Sequence, residues 1–536
     1  MDILRAISRR RTPQHEQADA GQKRNAAGGY SFVLDDIARL RRFLTLGVDG
    51  GTYYAAPGDL ARDNAALVLR MAEQDPETLV RTIVDVSTRG SAPRQQPALF
   101  ALAAATSVPG CGPAALAALP RVARTGTHLF QFAGYVEQFR GWGRGLRRAV
   151  GRWYTDKDVD AVAYQAVKYR QRDGWSHRDL LRLAHPVTAD PALRATFDWI
   201  THGATGDTTP RLIEAFVRAQ ATSDVATWAA LVRDAGLTWE MLPDAALGET
   251  AVWDALLDVG VPATALMRQL PRLTRLGMLP ATGGRTAEVA TLLADPERLR
   301  RARVHPVNVL VAQRTYASGR SARGTGTWEP TPAVTDALDA AFYAAFGAVE
   351  PSGTRTMLAV DVSGSMGFTR ISGLPITPRE AAAALALVQL ATEPAASAVA
   401  FTADGGAGPN GWGRPPALAP LRVSPRQRLD DALRVVDSLP MGATDCAQPM
   451  LHATRERLEV DTFVVYTDNE TWHGQVHPYQ ALREYRERSG IAARLVVVGM
   501  TATEFSIADP ADPGMLDVAG FDAAVPSLIS EFARGL

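Results

Sequence analysis

From residue 28 to about residue 349, apolar positions recur at three- and four-residue spacing, the mark of helices with one buried stripe. Residues 35–44 open the series, and 59–73, 76–89 and 97–106 continue it. The breaks are short and carry Gly or Pro, as in Val108-Pro-Gly-Cys-Gly-Pro113. This pattern predicts an α-solenoid of stacked helix pairs, degenerate in sequence because no strict period runs through it. A Gly- and Pro-bearing linker over 322–332 and a last helix over 333–346 close this half. Beyond it the pattern changes. Apolar runs with β-branched members at 355–360, 398–402, 461–468 and 493–499 read as buried strands. Stretches at 378–391, 425–438, 445–458, 479–488 and near Pro526 read as helices between and after them. Such alternation predicts a doubly wound parallel sheet, which binds ligands at the carboxyl ends of its strands. The chain thus divides into a polar, loosely ordered leader (1–25), a helical domain (26–349) and a sheet domain (350–536).

Composition narrows the class. With 46% hydrophobic and 21% charged residues over 536 positions, the chain is globular and long enough for more than one core. A formal net charge of +0 excludes global attraction to nucleic acid, so any such site is a local patch. Two cysteines, Cys111 and Cys446, offer neither a disulfide framework nor a zinc pattern, which fits a reducing, cytoplasmic compartment. Cys446 reads as a small buried residue. No run approaches a transmembrane span. Arg5, Arg9, Arg10 and Arg11 lack the apolar core that would make the N-terminus a signal peptide.

Candidate chemistry gathers in two places. The first is Asp361-Val-Ser-Gly-Ser-Met366, directly after a predicted strand. Asp361, Ser363 and Ser365 alternate, so a looped backbone points one carboxylate and two hydroxyls into one concavity. Thr444 follows in Gly442-Ala-Thr-Asp445, and Asp468 ends the 461–468 strand. These are hard oxygen ligands, suited to one divalent cation such as Mg²⁺. The set resembles the metal-ion-dependent adhesion site of von Willebrand factor A domains. The Gly-rich stretch Gly405-Gly-Ala-Gly-Pro-Asn-Gly411 reads as a surface loop, because no Gly-Lys-Ser/Thr follows it.

The second place is 139–186, where basic residues outnumber acidic ones by about two to one. Lys168 and Arg172 stand four apart, the spacing of one exposed helical face. Ser176 and Asp179 form a capping-box pattern, and Arg178, Arg182 and His185 recur along the helix that follows. Trp142, Trp153, Tyr169 and Trp175 lie among the charges, and guanidinium planes with aromatics clamp phosphates and stack unpaired bases. A solvated helical face over core tryptophans accounts for the same pattern, and by spacing alone it is the plainer account. His177 reads as a surface histidine, and His128 as a structural one under Phe130 and Phe132.

Several stretches resemble the TROVE domain: Gly28-Gly-Tyr-Ser-Phe32, Arg41-Arg-Phe-Leu44, Gly50-Gly-Thr-Tyr-Tyr54, Gly141-Trp-Gly-Arg-Gly-Leu-Arg-Arg148, Lys168-Tyr-Arg-Gln-Arg-Asp-Gly-Trp-Ser-His-Arg-Asp-Leu-Leu-Arg-Leu-Ala-His185 and His305-Pro-Val-Asn-Val-Leu-Val-Ala312. With the metal motif downstream, the chain after its leader resembles the Ro 60 kDa autoantigen family in its bacterial form. The resemblance implies HEAT-like helical repeats closed into a ring and bridged by the A domain. It also implies Y-type noncoding RNA on the outer surface and single-stranded 3′ ends of misfolded RNA in the central channel. Lys168, Arg172 and His185 match the family's RNA-contacting motif; Arg178 and Arg182 come from helical spacing alone. An exoribonuclease partner such as polynucleotide phosphorylase, and a monomeric state, are further expectations.

No Walker or Ser-His-Asp pattern stands out, and the hydroxyl-rich set lacks the carboxylates and base of two-metal phosphoryl chemistry. One ion with an open position captures a partner's carboxylate instead. His473 and His477 read as a solvent-facing loop. The chain therefore reads as a binding protein and not an enzyme; the competing account is a metal-dependent protein-interaction scaffold without direct RNA binding.

Overall fold

Helices carry the chain from Asp36–Leu46 to Pro332–Ala344, interrupted mainly by short turns and one small hairpin. The computed structural model describes residues 11–48, 57–321, 325–347, 349–371, 374–403, 417–424 and 427–536. The Gly50–Tyr54 motif and the Gly405–Gly411 loop lie outside the described residues. Local chemistry sets the helix ends. In Pro76–Arg89 the Asp75 carboxylate accepts from Thr78 N, Pro76 fills the first turn and Gly90 closes the helix at φ 76°. Leu79, Thr82, Ile83 and Val86, three and four apart, are its buried stripe. Pro76–Arg89 packs on Gly112–Val122, Gln96–Ala105 on Gly126–Phe139, Val225–Ala235 on Thr250–Val259, and Gly284–Ala294 on Pro332–Ala344. One core runs from Leu40 to Leu193, and a second runs from the later helices into the sheet domain.

Two strands precede the helices, β1 (Gln22–Arg24) and β2 (Tyr30–Val33), and the hairpin supplies β3 (Gln171–Arg172) and β4 (Trp175–Ser176). The sheet domain adds β5 (Thr356–Asp361), β6 (Ala396–Phe401), β7 (Leu418–Pro420), β8 (Thr462–Thr467), β9 (Arg494–Gly499), β10 (Phe505–Ser506) and β11 (Met515–Ala519). Its main sheet runs β11-β9-β8-β5-β6-β7, parallel throughout except for β7, which lies antiparallel on β6. Alternation within the strands divides two cores. Leu358, Val360, Val464 and Tyr466 face one layer of helices, while Met357, Ala359, Phe463 and Val465 face the other.

Residues 11–25 are not loosely ordered. β1 pairs with β2 and β2 with β10, so the N-terminal segment adds strands to the sheet domain rather than to the helices. Gln14 is fully buried, donating to Asp445 Oδ1 at 2.7 Å and Val476 O at 2.8 Å. Asn25 donates to Thr471 O at 2.8 Å. Polar composition reads as solvated only when the buried groups that those polar atoms satisfy are out of view. The 322–332 stretch is likewise no free linker over its described part. Trp328 is buried against Tyr316, donating to its carbonyl at 2.9 Å, and Thr331 donates to Leu279 O at 2.6 Å.

Both ends of the helical region touch the sheet domain. From Asp36–Leu46, Arg42 is buried and donates to Asp517 Oδ2 at 2.5 Å and Phe505 O at 2.6 Å. From the last helices, Asp339 accepts from Leu429 N at 2.7 Å, and Arg314 and Asp336 pair with Glu380 and Arg428. His305, 214 residues along, hydrogen-bonds Ser91 O at 3.1 Å.

Candidate nucleic-acid interface and metal centre

β5 and β8 are parallel neighbours at the centre of the sheet, and the chain leaves them toward opposite edges. This is the switch point where doubly wound sheets bind ligands. Asp361 ends β5 and Asp468 follows β8, so register alone brings both carboxylates to one crevice. Asp361 Oδ1 accepts from Ser363 N at 2.8 Å, and Oδ2 accepts from Thr467 Oγ1 at 2.7 Å. Ser363 Oγ lies 3.2 Å from Ser365 Oγ, and Ser365 hydrogen-bonds Asp468. Thr444 sits on the adjoining loop, tied in by Gly364 N to Gly442 O at 3.1 Å and by Trp472 and His473 N–H groups to Thr444 O. Asp361, Ser363, Ser365, Thr444 and Asp468 are all buried. Burial raises both aspartates' pKa, and the charge of Asp468 raises that of Asp361 further. Two desolvated carboxylates beside hydroxyl oxygens fit a hard cation. Among the described residues no group of three or more His, Cys, Asp or Glu is placed to hold a metal.

Sequence reading missed several residues of this crevice. Thr467 orients Asp361, and its signal was a hydroxyl at the last strand position before Asp468. Glu470 is buried, with burial and Asp468 pushing its pKa up to about 8, and it accepts from Ala27 N at 3.0 Å. His477 is no loop histidine. It is fully buried, bonded to Glu16 O at 2.9 Å and Gln22 Nε2 at 3.2 Å, because the N-terminal segment covers it. Cys446, by contrast, is the small buried residue expected, beside Thr467, and burial pushes its thiol up.

The basic block is built differently from a single helical face. The helix Val159–Lys168 stops at Lys168, and Arg172 belongs to β3. Asp173 and Gly174 make the turn into β4 with φ 51° and 82°, as a two-residue hairpin requires. Asp-Gly was the signal for it. Lys168 is half-buried, bonded to Tyr164 Oη at 2.8 Å and 3.5 Å from Glu240. Burial lowers its pKa, yet the Tyr164 bond and the nearby charge leave it raised, so it stays cationic. Arg172 is exposed, 3.5 Å from Asp173.

The capping box forms: Ser176 N donates to Asp179 Oδ2 at 2.9 Å and starts His177–Ala184. Arg178, Arg182 and His185 are exposed along it, His185 closing the helix at φ 47°. His177 is buried rather than superficial. It lies 2.8 Å from Tyr154 Oη and 3.2 Å from Gln165 O, and burial lowers its pKa to about 4. Helix Arg144–Thr155 packs on His177–Ala184 and exposes Arg144, Arg147, Arg148 and Arg152. Among the described residues none of these four, nor Arg178 or Arg182, pairs with a carboxylate. Trp142 and Trp175 stand half-exposed with centroids 5.6 Å apart, whereas Trp153 is core.

Comparison with known proteins adds the family. The Ro60 vWA domain matches residues 355–533, and the TROVE domain matches 23–209 and 204–315. The chain is 44% identical over 542 residues to a Deinococcus radiodurans protein named RNA-binding protein RO60, covering 100% of this chain and 99% of that one. It is 34% identical over 604 residues to the Caenorhabditis elegans protein of the same name, covering 97% and 91%. The crystal structure of Deinococcus radiodurans RO (RSR) protein superposes with a TM-score of 0.69 at 42% identity, over 94% of this chain and 100% of that one. The chain therefore belongs to the Ro60 family, with TROVE and von Willebrand factor A domains.

Proposed function

We propose that this protein binds small noncoding RNA of the Y type on the basic surface formed by Lys168, Arg172, Arg178, Arg182 and His185. Its family is one of binding proteins rather than enzymes, and the relatives' names carry RNA binding. The observation that carries the reading is the band of exposed arginines on Arg144–Thr155 and His177–Ala184 that have no carboxylate partner among the described residues, in a chain of net charge +0. Unpaired guanidinium groups seek phosphates. HEAT-like helices closed into a ring, supported by the His305–Ser91 contact, would admit single-stranded 3′ ends of misfolded RNA and reject structured ones by size. The cradle of Asp361, Ser363, Ser365, Thr444 and Asp468 holds one divalent cation, Mg²⁺ by ligand hardness, whose open position takes an acidic group of a protein partner. A monomer acting in the cytoplasm on RNA passed to or from an exoribonuclease completes the reading.

Gel-shift titration across salt concentrations tests it. About four cation–phosphate contacts to a single strand give a log–log slope near −3. Lys168→Ala/Arg172→Ala is expected to weaken binding and flatten that slope. Binding indifferent to salt and to the double variant leaves the protein-interaction scaffold instead. Calorimetric titration with Mg²⁺ tests the cradle: Ser365→Ala is expected to lose at least about tenfold in affinity, and equal binding to wild type and variant rejects it.

A further inference from the structure

Beside the basic band lies a cavity of about 910 Å³, within the roughly 300–1,000 Å³ range of small-ligand sites. Its walls include Arg170 just before the hairpin, Gln171 within it, His177 and Arg178 from the next helix, and Trp199 and His202 from Pro191–His202. Among the described residues no Asp or Glu lines it. Arg170 and Arg178 are exposed, and neither pairs with a carboxylate among the described residues. The Arg170 guanidinium rests 5.4 Å from the Phe216 ring centroid, and Trp199 meets the same ring edge to face at 5.9 Å. One phenyl ring thus holds a cation and an indole in fixed relation. Behind them His177, pinned between Tyr154 and Gln165, makes a rigid wall.

Two guanidinium groups without carboxylate partners among the described residues and a half-exposed indole, with the nearby Asp179 carboxylate engaged by Ser176, match a ligand carrying both a phosphate and a flat aromatic face. An acidic peptide would use the arginines and leave the indole idle. We propose that this cavity takes one unpaired nucleotide of an RNA strand, its base against Trp199 and its phosphate between Arg170 and Arg178. The proposal rests on the RNA reading above. Arg178 belongs to both surfaces, so a strand leaving a duplex on the band enters the cavity directly.

The test uses the full chain and a small RNA hairpin with or without a short single-stranded tail. A 4-thiouridine in the tail, irradiated and mapped by mass spectrometry, is expected to crosslink within 166–203. Arg170→Gln and Trp199→Leu are expected to weaken the tailed RNA by about tenfold and to leave the blunt hairpin unchanged. Arg170→Gln leaves the indole packing untouched, so it reads the cavity even where Trp199→Leu unfolds. Crosslinks elsewhere, or tailed-RNA affinity equal to wild type in Arg170→Gln, overturn the proposal while blunt-hairpin binding keeps the RNA reading. Free uridine monophosphate competing at concentrations as low as the tailed RNA would make this a free-nucleotide site and overturn the strand assignment. Wild-type protein that binds neither hairpin overturns the RNA reading itself.

Discussion

The imidazole of His177 is held by Tyr154 Oη at 2.8 Å and Gln165 O at 3.2 Å, and burial lowers its pKa to about 4. His305, against Ser91 O, is lowered to about 4 for the same reason. Both are neutral in the folded protein near neutral pH. The unfolded chain takes up these protons near pH 6.5 and the folded one only near 4, so the unfolded state binds more protons in between. Their contribution to stability is therefore full above about 6.5 and is lost as pH falls toward 4, by up to about 3 kcal/mol for each histidine. Buried Glu470, raised to about 8, acts in the opposite sense, so the histidine contribution is read by difference: from pH 7.5 to 4.5 the wild-type Tm is expected to drop relative to that of His177→Gln, and a constant difference would contradict it. Gly174 makes a second residue-scale case. At φ 82° an alanine costs about 1–2 kcal/mol, so Gly174→Ala should loosen the hairpin carrying Arg172 and weaken RNA in a gel shift. Unchanged affinity would detach Arg172 from the interface. Gly174 was legible as a turn residue from its Asp-Gly pair, whereas the burial of His177 was not, since it depends on Tyr154 and Gln165 arriving from other helices.

Among the elements, the N-terminal segment differs most from its local reading. β1 and β2 extend β10, and the loop between them reaches the stretch that follows Asp468. Gly29 comes so close that a Cβ there would lie 2.0 Å from Thr471 O. Gly29→Ala should undock residues 11–33, seen as faster limited proteolysis near Lys23 or Arg24 with the rest of the chain intact; wild-type cleavage rates would show that the loop adjusts. The strands β5, β6, β8 and β9 and the helices between them were legible because each is bounded by its own signals, whereas β7, β10 and β11 were not read from the sequence. Thr377 and Glu380 form a capping box before Pro378–Thr392, and Val464, Val465 and Tyr466 form a continuous apolar run. A three-residue strand such as β1, QKR in sequence, has no such signal.

For the whole molecule, the contact of Arg42 with Asp517 joins helix Asp36–Leu46 to edge strand β11 of the main sheet, 475 residues away. The two side chains are 1% and 12% exposed, so removing one leaves the other charge buried without its partner. Arg42→Met is expected to cost about 3–5 kcal/mol and to lower Tm by several degrees, and adding Asp517→Leu should recover most of it. Additive losses in the two variants would mean that the pair does not couple the domains. The chain by itself determined most of its helices, the parallel strands β5, β6, β8 and β9, and the placing of Asp361, Ser363, Ser365 and Asp468 just at or beyond strand ends. Periodicity, caps and turn residues act within a few positions and are written where they act. Only tertiary structure decided that residues 11–33 belong with the sheet domain, that His177 and His477 are buried, and that Lys168 is partly held by Glu240. Burial and pairing are set by groups that meet through space from distant parts of the chain, and no local pattern carries that information.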